Sequence, residues 1–326
     1  MHGDAADTMG IDGVWYDPLW RIEVPLTPVE RALLATWPVR RLAFIAHAGA
    51  AAITTTQNYS RLEHSLGVLA LVAHFAPDDA VARATALLHD VGHLPYSHTL
   101  EGIGGLDHHT LGRAAVRQLD PVLRAGGLDA QIVIDTDDGA RWSPLTSRRG
   151  GLKLDHLDSF LRSGQANGRT TTPPADLLRR LRLIDGAVDT DVVTADEITH
   201  LAFAEARAQR SEANIIPNAV MRDLVRRACA AGVLTPDVLA TMTDDALWAL
   251  LSTAPTTAAG ARALRRHPER WRMRAGRSTS ADALTHVVRR TYLDLPTVDG
   301  RTVHADDADA LRRDVPLALV VERRTA

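Results

Sequence analysis

His64, the adjacent pair His89-Asp90, and then His93, His98 and His108 lie close together in the chain. An acid, Asp155, follows in the run Lys153-Leu-Asp-His-Leu-Asp158. Imidazole nitrogens and carboxylates delivered from separate segments can grip a divalent ion while leaving a position for water, which is what a hydrolytic metal centre requires. No single member of the set is informative. With 14 histidines in the chain, about one His-Asp dipeptide arises by chance, and either His64 or His89 alone reads as an ordinary core histidine bonded to backbone. Their combination is harder to dismiss. Asp155 falls on a helix whose Leu152, Leu154, Leu157 and Phe160 are apolar, where an unpaired charge is costly and a cation offsets the cost.

The flanking residues supply rigid supports for these side chains. Ser60-Arg-Leu-Glu63 is a capping box that places His64 in the first turn of a helix running through Leu66, Leu69 and Val72. A second helix starts near Asp79 with Val81, Ala84, Thr85 and Leu88 on its inner stripe, so His89-Asp90 arrives at its end. Gly92 permits a turn there, and the irregular stretch through Pro95 and Ser97 carries His93 and His98. Another helix begins at Asp107, with His108 and His109 in its first turn. Earlier, Thr27-Pro-Val-Glu30 is a capping box with Pro at the first helical position.

Apolar residues recur mainly at helical spacing, which predicts a mostly α protein. Residues 1–12 read as a loose polar leader, 13–172 as a helical core, and 173–326 as a smaller α+β C-terminal lobe that completes the substrate site. Asp135 to Gly151 and Gly164 to Pro174 read as loops. Leu183-Ile-Asp-Gly-Ala-Val188 and Thr297-Val-Asp-Gly-Arg-Thr-Val303 read as hairpins, Thr194-Ala-Asp-Glu197 as the cap of a long helix, and Pro316 to Glu322 as a closing strand. The single Cys229 rules out an internal disulfide. No apolar run approaches the roughly 20 residues that span a bilayer, and no charged and apolar leader marks secretion, so the expected location is the cytoplasm. The net charge of −3 offers no general basic field for nucleic acid. Arginine pairs such as Arg179-Arg180, Arg226-Arg227 and Arg265-Arg266 read as solvated helix faces.

Taken together, Tyr59-Ser-Arg-Leu-Glu-His-Ser-Leu-Gly-Val68, Leu87-Leu-His-Asp-Val-Gly-His-Leu-Pro-Tyr-Ser-His98 and Leu154-Asp-His-Leu-Asp-Ser-Phe160 resemble the HD-domain phosphohydrolases. The resemblance is specifically to the deoxynucleoside triphosphate triphosphohydrolases, which include bacterial dGTPases and the SAM-and-HD-domain dNTPase. Tyr16-Asp-Pro-Leu19 and Arg40-Arg-Leu-Ala-Phe-Ile45 also look like that family's N-terminal motifs. The likeness is dense from about residue 14 to 163 and thin beyond. It implies an HD-domain helical bundle in which His64, His89, Asp90 and Asp155 hold a divalent ion such as Mn, Mg, Fe, Ni or Co. It also implies that Arg61 contacts phosphate, with Arg207 as a second, weaker match. His98 and His108 are implied to lie beside the scissile bond, with Glu101 orienting one of them; His93 matches a further active-site histidine, and its own position reads equally as a hydrogen-bonded support to the Gly92 turn. Neutral-range imidazoles suit proton donation to a departing oxygen.

The likeness fails at identifiable positions. Where the family shows a Lys after the last metal ligand, an aromatic beside the sugar and an Asp reading the 3′-hydroxyl, this chain has His156, Ser159 and Ser163. Ile215 and Pro217 stand where a Tyr and a His are expected. A small Ser159 points toward a substrate with an altered sugar or greater bulk. The resulting expectation is hydrolysis of a (deoxy)nucleoside triphosphate to nucleoside and triphosphate, by a homo-oligomer that contacts neither membrane nor nucleic acid. Stepwise phosphatase or 5′-nucleotidase activity, and nucleotide sensing without turnover, are the alternatives.

Overall fold

In the computed structural model, residues 13–147, 150–276, 283–303 and 306–324 are described, so the expected leader over 1–12 lies outside them. The chain is mostly helical, as its apolar spacing predicts, with small sheets near its start and in its C-terminal half. It opens with an antiparallel hairpin, β1 (Val14–Asp17) and β2 (Ile22–Pro25), registered Trp15 to Val24. Helix α1 (Pro28–Leu34) carries the Thr27/Glu30 capping box. Glu30 also receives two hydrogen bonds from Arg83, at 2.7 and 2.9 Å, which ties α1 to the helix that delivers His89.

Helix α2 (Arg61–Phe75) starts at the Ser60/Glu63 box and is buried on most of its surface, as expected of a helix surrounded by others. Helix α3 (Ala80–Leu88), capped by Asp79, and α4 (His108–Gln118), capped by Asp107, begin where the sequence places them. Helix α5 (Ala130–Asp137) packs on α3, and α6 (Leu154–Ala166) packs on α2. The loop expected over 135–151 is corrected on two counts. Helix α5 continues to Asp137, and Ser143 and Leu145 are buried rather than exposed, because the segment folds back under the following hairpin with Gly186 close against it. Helix α6 likewise runs three residues into the second expected loop.

Beside the site, Gly67 and Gly92 are required by close approach. A Cβ on Gly67 would lie 2.2 Å from both Asp158 Oδ1 and Arg162 Nη2, so α6 reaches α2 at this distance only over glycine. A Cβ on Gly92 would lie 2.1 Å from His108 O and 2.3 Å from Gly112 N. The reason for Gly92 is therefore contact with α4 and not an unusual φ. Left-handed backbone falls instead on Tyr96 and Ser97 (φ 55° and 52°), a costly conformation for such residues. Hydrogen bonds hold it: Tyr96 N donates to Asp244 Oδ1 at 2.6 Å and Ser97 Oγ to Ala46 O at 2.6 Å.

In the C-terminal half, β3 (Arg182–Ile184) and β4 (Ala187–Asp189) form the expected hairpin, with positive φ at both Asp185 and Gly186. Helix α7 (Val192–Ala208) is capped by Asp191, three residues earlier than expected, because the Asp191 carboxylate accepts from Thr194 N and Oγ1. Helix α8 (Glu212–Ala230) follows. Strands β5 (Trp271–Ala275) and β6 (Leu284–Val288) flank the central β9 (Leu317–Arg323), while β7 (Thr297–Val298) pairs with β4 and β8 (Arg301–Thr302).

Two apolar cores result. One joins residues from Trp15 to Ala206 with Leu293, Leu295 and Ala308. The other joins α8 and the β5-β9-β6 sheet to Leu94, Tyr96, Leu100 and Ile103. The histidine-bearing turn after α3 bridges them, with Val91 in the first core and Leu94 in the second.

A buried charge network locks α6 to α2 and β1. Arg162 pairs with Asp17 at 2.9 Å and Asp158 at 2.8 Å, and both carboxylates are fully buried. Arg162→Met is expected to destabilise the fold by about 3–5 kcal/mol, since it strands two buried carboxylates. Urea denaturation checks this, and a loss within 1 kcal/mol of zero by the same standard would mean that the network is dispensable.

Candidate metal centre and histidine cluster

Three side chains from three helices converge. His64 comes from the first turn of α2, His89 from the residue ending α3, and Asp155 from the first turn of α6. His64 Nε2 lies 3.1 Å from Asp155 Oδ1 and 3.4 Å from His89 Nε2, and His89 Nε2 lies 3.9 Å from the same carboxylate oxygen. The opposite ring nitrogens are engaged. His64 Nδ1 donates to Asp158 Oδ2 at 2.8 Å, and His89 Nδ1 donates to Ala86 O at 2.9 Å. These bonds turn both Nε2 lone pairs toward Asp155, the outer-shell arrangement that orients histidine ligands on metals.

The electrostatics fit a cation. Burial pulls the His64 pKa down, but hydrogen bonds to Asp155 and Asp158 outweigh it and raise the value to about 9. Burial opposes ionisation of Asp155, yet Lys153, His156 and His64 hold it well below the usual carboxylate range. The site thus favours one positive charge between two anionic carboxylates, a place that a divalent ion takes in exchange for the imidazole proton. The second oxygen of Asp155 is held by Lys153 Nζ at 3.0 Å, with His156 Nε2 at 3.7 Å.

Asp90 connects this trio to a second group. Its Oδ2 lies 3.6 Å from His89 Nε2 and 2.9 Å from Arg61 Nη1, and its Oδ1 accepts from His93 Nε2 at 3.1 Å. The carboxylate is turned toward Arg61 and His93 and sits at the edge of the His64, His89 and Asp155 convergence. Despite burial, Arg61, His89 and His93 keep it ionised far below the usual range. Arg61 is buried, with Nε donating to Ser97 Oγ at 3.0 Å.

Beyond Asp90, the rings of His93, His98 and His108 pack together at 4.6 to 4.9 Å between centroids, His93 stacked on His108. Glu101 closes the cluster. It accepts from His108 Nδ1 and from the His108 backbone N–H, both at 2.9 Å, and lies 3.9 Å from His98 Nδ1. His93 is buried, and that burial, with Arg61 nearby, pushes its pKa well down and leaves a neutral ring. The His98 side chain is 45% exposed, which puts it on the open side of the cluster.

The other expected residues divide. His156 joins the centre, its Nδ1 donating to Asp294 Oδ2 at 2.6 Å. Ser159 is half-buried on α6. Ser163 is buried and donates to Glu205 at 2.8 Å, so it serves packing of α6 on α7. Ile215 and Pro217 are buried in α8. Arg207 is exposed at the end of α7 with its guanidinium over Phe203.

Sequence reasoning missed four neighbours. Asp158, and not Asp155, is the fully buried acid: their side chains are 0% and 22% exposed. Its position between Leu157 and Leu161 on the apolar face of α6 was an available signal. His47 stacks on Tyr59 and meets His64 edge-on at 4.7 Å. Tyr292 and Asp294 come from so far along the chain that no spacing announces them.

Residues 61–136 match the family model of the HD domain. The chain is 33% identical over 141 residues to the uncharacterized protein MJ1154 of Methanocaldococcus jannaschii, a match covering 39% of this chain and 28% of that one. It is 32% identical over 127 residues to YwfO of Bacillus subtilis, covering 34% and 29%. These matches span under a third of either relative. Over 96% of this chain and 100% of the other, the structure shares the fold of a phosphohydrolase, BT4208, from Bacteroides thetaiotaomicron, with a TM-score of 0.70 at 15% identity. No helix among the described residues is long and apolar enough to cross a membrane.

Asp158→Asn is expected to weaken binding of a divalent ion about 10- to 100-fold, because it alters the bond that orients His64. Calorimetric titration with Mn, Ni and Co checks this. Wild-type affinity in the variant would place the ion away from His64.

Proposed function

We propose that this protein is a metal-dependent phosphohydrolase acting on a nucleoside triphosphate, with release of nucleoside and intact triphosphate. One observation carries the reading: the His64, His89 and Asp155 convergence is joined through Asp90 to a cluster of three histidines. A cation site beside a proton-donating site is what splitting a phosphate ester needs, since negative charge must be offset on one side of phosphorus and a leaving oxygen protonated on the other. When bound, a divalent ion supplies charge neutralisation and acidifies a water.

The chain's own residues supply the rest. His64, His89 and Asp155 would hold the ion, with Asp90 beside them. Arg61 and Lys153 place positive charge along the path of the phosphates, each already steadying a carboxylate of the centre. His98 protonates the departing oxygen from the open side of the cluster. His108, held by Glu101 at two atoms, and the neutral His93 fix the direction in which His98 points. His156, backed by Asp294, stands where the resembled family has a lysine. The small Ser159 supports a pocket whose nucleoside end differs from that of ordinary deoxynucleotide hydrolases, which makes sugar-modified triphosphates part of the proposed substrate class.

Phosphorus NMR of a nucleotide panel with each of Mn, Mg, Fe, Ni and Co is expected to show triphosphate as the first phosphorus product. Orthophosphate appearing first would replace this reading with stepwise dephosphorylation. His98→Ala is expected to lower kcat by on the order of 10²- to 10⁴-fold, and Asp155→Ala to abolish turnover.

A further inference from the structure

The resembled family's aromatic beside the sugar is absent at Ser159, yet an aromatic ring does stand at the centre, delivered from another part of the chain. Tyr292, in the segment between β6 and β7, lies 5.4 Å from the His156 ring, nearly perpendicular to it, and 6.4 Å from the His98 ring at 31°. The Arg290 guanidinium packs over the same ring at 5.0 Å.

This segment is anchored at nearly every residue. Thr291 Oγ1 accepts from Arg210 Nη2 at 2.6 Å, and Leu293 O accepts from Arg312. Asp294 accepts from His156, and Leu295 O accepts from Leu152 N at 2.8 Å. Leu293 and Leu295 are buried in the first core. Tyr292 itself is only half-buried, so a rigid backbone presents its ring to the half-exposed His98.

We infer that Tyr292, backed by Arg290, is the specificity wall that contacts the nucleoside portion of the substrate. The inference rests on the nucleotide reading above. If His98 protonates the leaving oxygen, the group attached to that oxygen emerges beside His98, and Tyr292 is the aromatic surface beside it. Ring stacking on bases and sugars depends little on base identity, so this wall selects for a nucleoside over bare phosphate and admits varied sugars. The C-terminal half thereby supplies what α6 lacks.

The test compares binding of a nucleoside triphosphate with binding of inorganic triphosphate by calorimetry, in wild type, Tyr292→Phe and Tyr292→Leu. Leucine keeps an apolar side chain packed on the core while removing the ring, and an unchanged circular dichroism melt confirms folding. Wild type and the Phe variant are expected to prefer the nucleotide, and the Leu variant to lose about tenfold of that preference with inorganic triphosphate binding unchanged. No preference in wild type, a preference retained by the Leu variant, a Phe variant as impaired as the Leu variant, or equal loss for both ligands overturns the inference. Failure of the catalytic reading shows separately, as nucleotide that is bound with this preference and never hydrolysed.

Discussion

The contact between His64 and Asp158 is the constraint on which the site depends. A fully buried carboxylate survives in a helical core only if it is neutralised and hydrogen-bonded, and Asp158 is held on all sides. Arg162 reaches it with two nitrogens, Trp20 donates from its indole at 2.7 Å, and His64 donates from Nδ1. Burial pushes its pKa up, but Arg162 and His64 prevail and bring it to about 2. A carboxylate so fixed dictates which nitrogen of His64 carries the proton, and therefore which one faces Asp155. Gly67 belongs to the same constraint, because any larger residue there would displace the carboxylate and the guanidinium together.

The histidine turn solves a different problem, that of placing two chemical groups within reach of each other. Val91 anchors it in one core and Leu94 in the other, so its position follows from packing on both sides. Gly92 lets α4 come close enough for His108 to stack on His93. Asp90 then touches both groups with its two oxygens. The strained backbone at Tyr96 and Ser97 lies in the same stretch, secured by Asp244, which opens a helix whose Leu247 and Leu251 belong to the second core. Strain of this sort persists only where the surroundings over-determine it, and here they include Arg61, which binds both Ser97 and Asp90.

The C-terminal half contributes in two ways. Helix α8 and its sheet form the second core, which backs the histidine turn. The segment 290–295 brings Tyr292 and Asp294 against His156 on α6. The departure from the resembled family at His156 therefore coincides with neighbours from far along the chain.

The sequence by itself determined several helix starts, because caps are local: Ser60 with Glu63, Asp79 and Asp107 each bond within three residues of themselves. It also singled out histidines that the fold brings together, His64 with His89 and His93 with His98 and His108, and both hairpins, where Asp-Gly tolerates positive φ. Where a cap had competitors within a few residues, as at Asp191 and Thr194, the local signal was ambiguous. Only the tertiary structure decided that Asp158 is the buried acid behind His64, that Asp90 turns to Arg61 and His93, and that Tyr292 and Asp294 complete the centre. Those outcomes depend on the distance between elements, set by close packing around Gly67, Gly92 and two cores, and no local pattern in a chain encodes a distance between parts that meet only after folding.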